Sequence, residues 1–127
     1  MTGGAAFIGS HLAAALVADH EVCVLDDYST GKRTWAPDAA QAMGATERSG
    51  DSLSGCLCTV DIIFHQAANV SVERSIEAQE RSRRANVDGT LIVLDGARGE
   101  EARVVLASSA AIYDPTTSVP VAESELK

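Results

Sequence analysis

The chain contains no long apolar run. None of its stretches approaches the roughly 18 residues needed to cross a bilayer. Met1 is followed by small residues rather than by a basic and then a hydrophobic segment. We therefore expect neither a membrane anchor nor a secretory signal, and we expect a cytoplasmic protein.

Cysteine is scarce and odd in number, with three residues, Cys23, Cys56 and Cys58. A disulfide between Cys56 and Cys58 would close a strained ring, so we expect reduced thiols in a cytosolic compartment. A metal site would have to add His65 to this pair without a second pair at zinc-finger spacing. The sequence therefore favours structural cysteines and no metal.

Aromatic residues and positive charge are also in short supply. Aromatics make up 4% of the 127 residues while 46% are hydrophobic, so the core must consist of small aliphatic side chains. Ten Lys and Arg stand against 18 Asp and Glu, which gives a net charge of −8. This charge repels phosphate backbones and anionic lipid, so we expect neither a nucleic-acid nor a membrane partner.

Short apolar runs alternate with amphipathic stretches along the chain, a pattern typical of an α/β fold. The apolar stripe Ile8, Leu12, Ala15 and Leu16 predicts a helix over about 9–18. Further elements are predicted as a buried strand over 21–25, as strands over 60–64 and 103–107, and as a long helix over 79–98. Residues 32–58 show neither pattern, so we predict an irregular connection there.

A glycine-rich segment, residues 2–9, opens the first predicted helix. Glycines in such a position permit a tight turn and close approach to a pyrophosphate, and the helix N-terminus favours an anion. Asp26 ends the next predicted strand, where a carboxylate accepts hydrogen bonds from the adenosine ribose and favours NAD over NADP. Together these features predict a dinucleotide site. The alternative is a merely structural glycine turn.

Several motifs occur together in an order that resembles the extended short-chain dehydrogenase/reductase family. Within it the chain is similar to the NAD-dependent epimerases and dehydratases, and most of all to the UDP-glucose 4-epimerase type. The motifs are T-G-G-A-A-F-I-G-S-H (2–11), V-L-D-D-Y-S-T-G-K-R (24–33), G-D (50–51), F-H-Q-A-A (64–68), S-V-E-R-S-I (71–76), N-V-D-G-T (86–90) and A-S-S-A-A-I-Y (107–113).

The resemblance implies a Rossmann-like doubly wound parallel sheet, with residues 1–127 as one partial NAD(P)-binding domain. It implies NAD as cofactor, a nucleotide sugar such as a UDP-sugar as substrate, and hydride transfer at the sugar ring. A homodimer through the 79–98 helix is also expected.

Site residues follow from the same resemblance, position by position. The implied cofactor-binding residues are Gly3, Ala6, Phe7, Ile8, Gly9, Asp26, Asp27, Asp51, Ala67, Ala68 and Asn86. The glycine turn would contact the pyrophosphate, Asp51 the adenine, and Ala67 and Ala68 the ribose and nicotinamide side. Ala6 stands where the family has its middle glycine. Ser109 is the implied catalytic residue, hydrogen-bonded to the sugar hydroxyl that is oxidised.

The family's catalytic tyrosine and lysine, four residues apart on a helix, have no counterpart within 1–127. The one Tyr-x-x-x-Lys string, Tyr28 to Lys32, follows a strand end and contains Ser-Thr-Gly, which favours a loop. No strand precedes Thr2 either. We therefore expect a sheet that lacks its first strand and the C-terminal substrate part, and a chain that is inactive alone. A non-catalytic nucleotide-sensing or interaction module and a degenerate gene fragment are the alternatives.

Three further groups have a structural interpretation beside a functional one. His65 ends a predicted strand, where hydrogen bonding is favoured over a role as general base. For the basic cluster of Arg74, Arg81, Arg83 and Arg84, a solvated helix face is favoured over a diphosphate site. Ser108 and Ser109 are also suited to cap the end of a strand.

Overall fold

A computed structural model describes residues 1–44, 60–114 and 119–124. Asp51, Cys56 and Cys58 lie outside this part of the chain. The elements in chain order are α1 (Phe7–Leu16), β1 (Cys23–Asp26), a 3₁₀ helix (Arg33–Trp35), β2 (Gln41–Gly44), β3 (Ile62–His65), α2 (Val72–Glu77), α3 (Gln79–Arg83), a π-helix (Arg84–Asp88), α4 (Gly89–Gly99), β4 (Arg103–Leu106) and a second 3₁₀ helix (Ala110–Ile112).

The strands form two parallel pairs that Thr2 joins. β1 pairs with β2 and β3 pairs with β4, and Thr2 forms parallel bridges to Leu25 of β1 and His65 of β3. The spatial order is therefore β2, β1, Thr2, β3, β4. The chain winds outward in both directions from Thr2, which makes the fold a Rossmann-like doubly wound parallel α/β fold with a crevice at the carboxyl ends of the central strands.

The centre of the sheet, between β1 and β3, is where we expected a missing strand. At the carboxyl end of these strands the first two residues of the chain occupy this position. Thr2 donates its amide to Phe64 O at 2.9 Å, and its carbonyl accepts from Gln66 N at 3.0 Å. On the other side, Leu25 N donates to Met1 O at 2.8 Å. Two residues are thus enough to connect both halves of the sheet directly below the glycine turn.

The core consists of two clusters of small aliphatic side chains, as the composition predicts. Ile63 of β3 packs against Val93 and Ala97 of α4, whereas Val24 of β1 packs with Ala13 and Ala36. None of the helices in the described ranges is both long and apolar enough to span a bilayer.

The first helix is confirmed, but the predicted apolar stripe is not its buried face. The buried residues of α1 are Gly9, Ser10 and Ala13, while Ile8 is 67% exposed. Residues without bulk let the helix approach the glycine turn and β1 closely. Close packing at this position therefore outweighs hydrophobic periodicity.

The predicted irregular connection over 32–58 is wrong at β2, and its residues 45–58 lie outside the described part of the chain. Gln41–Gly44 lacks a hydrophobic pattern, but it pairs in register with β1 from Cys23 opposite Gln41 to Asp26 opposite Gly44. The neighbouring strand supplies the hydrogen bonds that define it as a strand. The predicted 79–98 helix is confirmed with one difference, because a π-helix stands between α3 and α4. α2, capped by the Ser71 hydroxyl, was not predicted.

Candidate functional site

The glycine turn folds tightly upon itself. Gly3 has φ of 70°, a left-handed conformation that favours glycine. A Cβ added to Gly3 would lie 2.6 Å from Ala67 N, and a Cβ added to Gly9 would lie 2.1 Å from Gly3 O. Backbone atoms therefore occupy the space that a side chain would need at both positions. The predicted tight turn is present, and it presses directly on the loop that follows β3.

The N-terminus of α1 is open to solvent beside this turn. Phe7 and Ile8 are 72% and 67% exposed, and the first turn carries no acidic residue. The first amides of a helix lack intrahelical acceptors and favour an anion. Ala6 precedes the helix with φ −91° and ψ 176°, an extended conformation open to any residue. The backbone at Ala6 therefore does not require the glycine that the family has there.

Asp26 connects the glycine turn with the loop after β1. Its buried carboxylate accepts hydrogen bonds from Ala5 N at 2.9 Å and from Tyr28 N at 2.8 Å, one on each oxygen. A carboxylate has about four acceptor positions, so two remain for hydroxyl donors. Asp27 is exposed and accepts from Ser29 N at 2.8 Å.

The Tyr28 to Lys32 string lies in a loop, as predicted. Tyr28 has φ of 56°, and Lys32 N donates to Ala5 O at 3.0 Å. A Cβ on Gly31 would lie 2.4 Å from the same Ala5 oxygen, so the loop packs directly against the glycine turn. The Lys32 ammonium is 5.3 Å from the centre of the Trp35 ring. The string therefore does not provide the shared helix face that a catalytic pair requires.

The other side of the crevice is the loop after β3, which contains Ala67 and Ala68. Asn86 holds this loop through two hydrogen bonds to one backbone residue. Its Nδ2 donates to Asn69 O at 3.0 Å, and its Oδ1 accepts from Asn69 N at 2.7 Å. The amide thus pairs with Asn69 as a neighbouring strand would, and it fixes the far end of the loop.

Asn86 lies in the π-helix, where the backbone hydrogen bonds run from i to i+5. Arg83 and Asp88 form an ion pair of 2.7 Å across the same spacing. The π-helix therefore determines which side of the helix presents Asn86 to the loop. π segments are frequent at functional sites.

His65, at the end of β3, is 4% exposed and hydrogen-bonded through both ring nitrogens. Nδ1 is 2.6 Å from Thr2 Oγ1, and Nε2 is 3.0 Å from Thr90 Oγ1. Burial lowers the pKa of His65 below its ordinary value, which favours the neutral ring. The hydrogen-bonded interpretation of this histidine is confirmed.

Ser109 follows β4, beside the carboxyl end of β3. Its hydroxyl accepts a hydrogen bond from Ala111 N at 3.1 Å and caps the second 3₁₀ helix. Ser109 therefore has a capping role, but it caps this 3₁₀ helix rather than the end of the strand. Its side chain is exposed, and the hydroxyl proton remains available for a hydrogen bond to another acceptor.

The turn, Asp26, the loop after β3 and Ser109 thus all follow strands of one parallel sheet and lie at its carboxyl edge. A sequence model of the NAD dependent epimerase/dehydratase family matches residues 1–127. The chain belongs to this family. The UDP-glucose 4-epimerase of Streptomyces lividans is 36% identical over 129 residues, which cover 98% of the chain and 39% of that relative.

Solved structures in the epimerase/dehydratase family are similar to the chain in fold as well. The UDP-glucose 4-epimerase of Thermus thermophilus, crystallised with NAD, has a TM-score of 0.86 at 34% identity, covering 97% of this chain and 41% of that one. For the UDP-glucose 4-epimerase of Thermotoga maritima, crystallised with UDP-glucose, the TM-score is 0.88 at 28% identity, covering 98% and 42% respectively. The chain therefore spans about two fifths of these relatives.

The basic cluster lies on an exposed helix face, as predicted. Arg83 and Arg84 both contact Glu80, at 3.0 Å and 2.9 Å. Hydrogen bonds from these two arginines lower the pKa of the Glu80 carboxyl to about 2. Because all three side chains are largely exposed, such pairs contribute little to stability.

Three residues of the site were not singled out from the sequence: Thr2, Asn69 and Thr90. Thr2 and Thr90 lie inside the motifs 2–11 and 86–90, so the signal was present but was assigned to their neighbours. Each acts through a partner far along the chain, such as His65 for Thr2, and local spacing gives no indication of such partners.

The free energy of unfolding is expected to fall as the pH decreases below about 6.5, the ordinary pKa of histidine. The folded-state pKa of His65 is lowered, so the unfolded chain takes up a proton that the folded chain does not. Urea unfolding at several pH values between 7 and 5 measures the slope. His65→Gln should be flatter over this range, and an identical slope in both proteins would contradict the assignment.

Proposed function

We propose that the chain is the NAD-binding portion of a sugar-nucleotide epimerase or dehydratase of the UDP-glucose 4-epimerase type. The observation that carries the proposal is the contact between Asp26 and the glycine turn, because it joins a ribose acceptor to a pyrophosphate turn in one rigid unit. When bound, NAD would supply reversible hydride transfer at the sugar ring. Residues 1–127 would act as one partial domain of such a protein.

The residues present fit this cofactor. Glycine at positions 3 and 9 lets the turn close tightly beside the exposed N-terminus of α1, whose first amides favour an anion such as a pyrophosphate. Gly3 and 6–9 would hold the pyrophosphate and Asp26 and Asp27 the adenosine ribose. Asp51 would lie near the adenine, and Ala67, Ala68 and Asn86 beside the ribose and nicotinamide.

Ser109 would hold the sugar hydroxyl of a UDP-sugar. Two relatives in the family are named for UDP-glucose or were crystallised with it, which supports a substrate of this class. The Ser109 side chain is exposed at the carboxyl edge, on the side where the loop with Ala67 and Ala68 also lies. Its role would be to orient the hydroxyl rather than to remove its proton.

A homodimer through the helical segment 79–98 is part of the same proposal. Val87, Leu91 and Leu94 recur at i, i+4 and i+7, and they are 50%, 56% and 44% exposed. An apolar stripe of this kind on a helix is suited to a second helix of the same type. For the compartment we propose the cytoplasm, where the three cysteines would remain reduced.

The proposal predicts preferential binding of NAD over NADP. Asp26 retains acceptor positions for both ribose hydroxyls, whereas its negative charge repels a 2′-phosphate. Calorimetric titration with both cofactors tests this preference. Asp26→Asn should weaken NAD binding by about tenfold, because a hydrogen bond to a charged group contributes about 1.5–3 kcal/mol. The same variant should narrow the preference for NAD over NADP. Asp38→Asn is the matched control at an exposed carboxylate. Equal affinity for the two cofactors would refute the assignment of Asp26.

Binding without turnover in any longer form of the protein would favour the non-catalytic nucleotide-sensing module instead. A UDP-galactose conversion assay on a protein extended beyond Lys127 separates the two functions. Absence of both NAD binding and UDP-galactose conversion would favour the third alternative, a degenerate gene fragment.

A further inference from the structure

Residue His65 is hydrogen-bonded on both sides to threonines of other elements. We propose that His65 is a positioning residue whose imidazole, in the Nε2–H tautomer, joins Thr2 to Thr90 in one directed chain of hydrogen bonds. This series of hydrogen bonds would hold the loop after β3 at its Ala67 end and connect it to the π-helix that carries Asn86. Its importance for cofactor binding rests on the proposed function, whereas its existence does not.

The direction of the chain follows from the single hydroxyl proton of Thr90. Thr90 Oγ1 donates that proton to Asn86 O at 2.7 Å. Toward His65 Nε2, 3.0 Å away, the same oxygen therefore acts as acceptor, and Nε2 carries the hydrogen. In a neutral ring Nδ1 is then the acceptor. The Thr2 hydroxyl, 2.6 Å from Nδ1, must donate to it.

The other end of the chain reaches the loop after β3. With its proton directed at His65, Thr2 Oγ1 accepts a long hydrogen bond of 3.4 Å from Ala67 N. The donors therefore run in one sense, from Ala67 N through Thr2, His65 and Thr90 to Asn86 O. Each hydroxyl in this series donates only one hydrogen bond. In the described part of the chain, no buried side-chain polar atom lacks a hydrogen-bond partner.

The series of hydrogen bonds reaches both ends of the loop after β3. Its first member is the amide of Ala67, and its last member is the carbonyl of Asn86, whose side chain pairs with the backbone of Asn69. Both ends of the loop after β3 are thus attached to the same network. The alternative Nδ1–H tautomer does not fit, because the lone pair of Nε2 would then face the oxygen of Thr90, whose only proton is directed at Asn86 O.

Nitrogen-15 NMR of the histidine ring tests the tautomer in the unmodified chain at pH 7. We expect His65 to show a protonated Nε2 and an unprotonated Nδ1. A protonated Nδ1, or an imidazolium, would overturn the proposal. This measurement needs no cofactor and no substitution, so it decides the tautomer even if the chain binds no NAD.

Amide hydrogen exchange tests whether the two ends are coupled. Thr90→Val removes both the acceptor for His65 and the donor to Asn86, and we expect exchange at Ala67 N–H to become about fivefold faster, the effect of losing one ordinary hydrogen bond. Thr90→Ser should restore the original rate, because it keeps the hydroxyl. Thr34→Val, at an exposed threonine, is the matched control. Unchanged exchange at Ala67 in Thr90→Val would overturn the coupling.

A cycle of Thr2→Val, Thr90→Val and the double variant separates the network from general damage. If both threonines act through His65, the losses of NAD affinity do not multiply, and the double variant binds about as weakly as the weaker single variant. Multiplicative losses would contradict the network. Absence of NAD binding in the unmodified chain would reject the proposed function alone, and the tautomer and the exchange at Ala67 would still decide the role of His65.

Discussion

Replacing Gly9 by alanine is expected to destabilise the chain by about 1–3 kcal/mol and to weaken NAD binding by tenfold or more. Glycine to alanine in a helix normally stabilises by about 0.5–1 kcal/mol. Here the added Cβ would lie 2.1 Å from Gly3 O and 2.8 Å from Gly4 Cα. Both neighbours are backbone, so the helix must move away from the turn, and the clash outweighs the gain in helix propensity.

Thermal melts and calorimetric titration with NAD measure the two effects of Gly9→Ala. Gly99→Ala is the matched control, because Gly99 is also helical and an added Cβ there meets no atom within 4 Å. We expect the control to melt at or slightly above the temperature of the unmodified chain, because alanine is the better helix former, and to retain its NAD affinity. Equal melting temperatures for both variants would show that the glycine turn is not packed as described.

The 127-residue chain is expected to convert no UDP-galactose in a coupled assay with added NAD. Loss of a general base typically lowers a rate by about 10²–10⁴. The chain has two tyrosines, and only Tyr28 has a lysine four residues later. That lysine, Lys32, is held beside Trp35 in a loop against the glycine turn. In the proposed role Ser109 would orient a hydroxyl, and the sequence of the 127 residues provides no Tyr-x-x-x-Lys helix that would place a phenolate beside it.

Two variants make this expectation sharper. Tyr28→Phe should leave any residual conversion unchanged, because Tyr28 lies in a loop rather than on a helix face shared with Lys32, and its hydroxyl accepts a long hydrogen bond of 3.4 Å from Arg33. Conversion near ordinary enzyme rates that Ser109→Ala abolishes would instead show that another base serves the reaction. In that case the proposed requirement for the tyrosine and lysine would be wrong.

The confirmed predictions share a short-range physical basis. β1 and β3 each begin with three apolar residues and end in a polar one, and short apolar runs of this kind are typical of strands in a parallel sheet. The Ser-Thr-Gly sequence between Tyr28 and Lys32 favours a loop, and a loop is what forms. Glycine spacing likewise predicted the tight turn at residues 2–9, since only glycine tolerates the backbone contacts there.

Elements that were missed or misjudged depend on distant partners. β2 has no hydrophobic pattern and is a strand because β1 pairs with it. Ile8 belongs to the apolar stripe but is exposed, since α1 turns its small residues toward the sheet. The π-helix that carries Asn86 was likewise not visible in the 79–98 periodicity.

By itself, then, the sequence determined the α/β class, the glycine turn, the acid at the end of β1 and the family. Each of these depends on residue types at fixed, short spacing. Only the tertiary structure decided that Thr2 joins the two halves of the sheet and that Asp26 accepts from Ala5. It also decided the partners of both nitrogens of His65. Those contacts join residues that are far apart in the chain, and their geometry exists only once the parallel strands lie side by side.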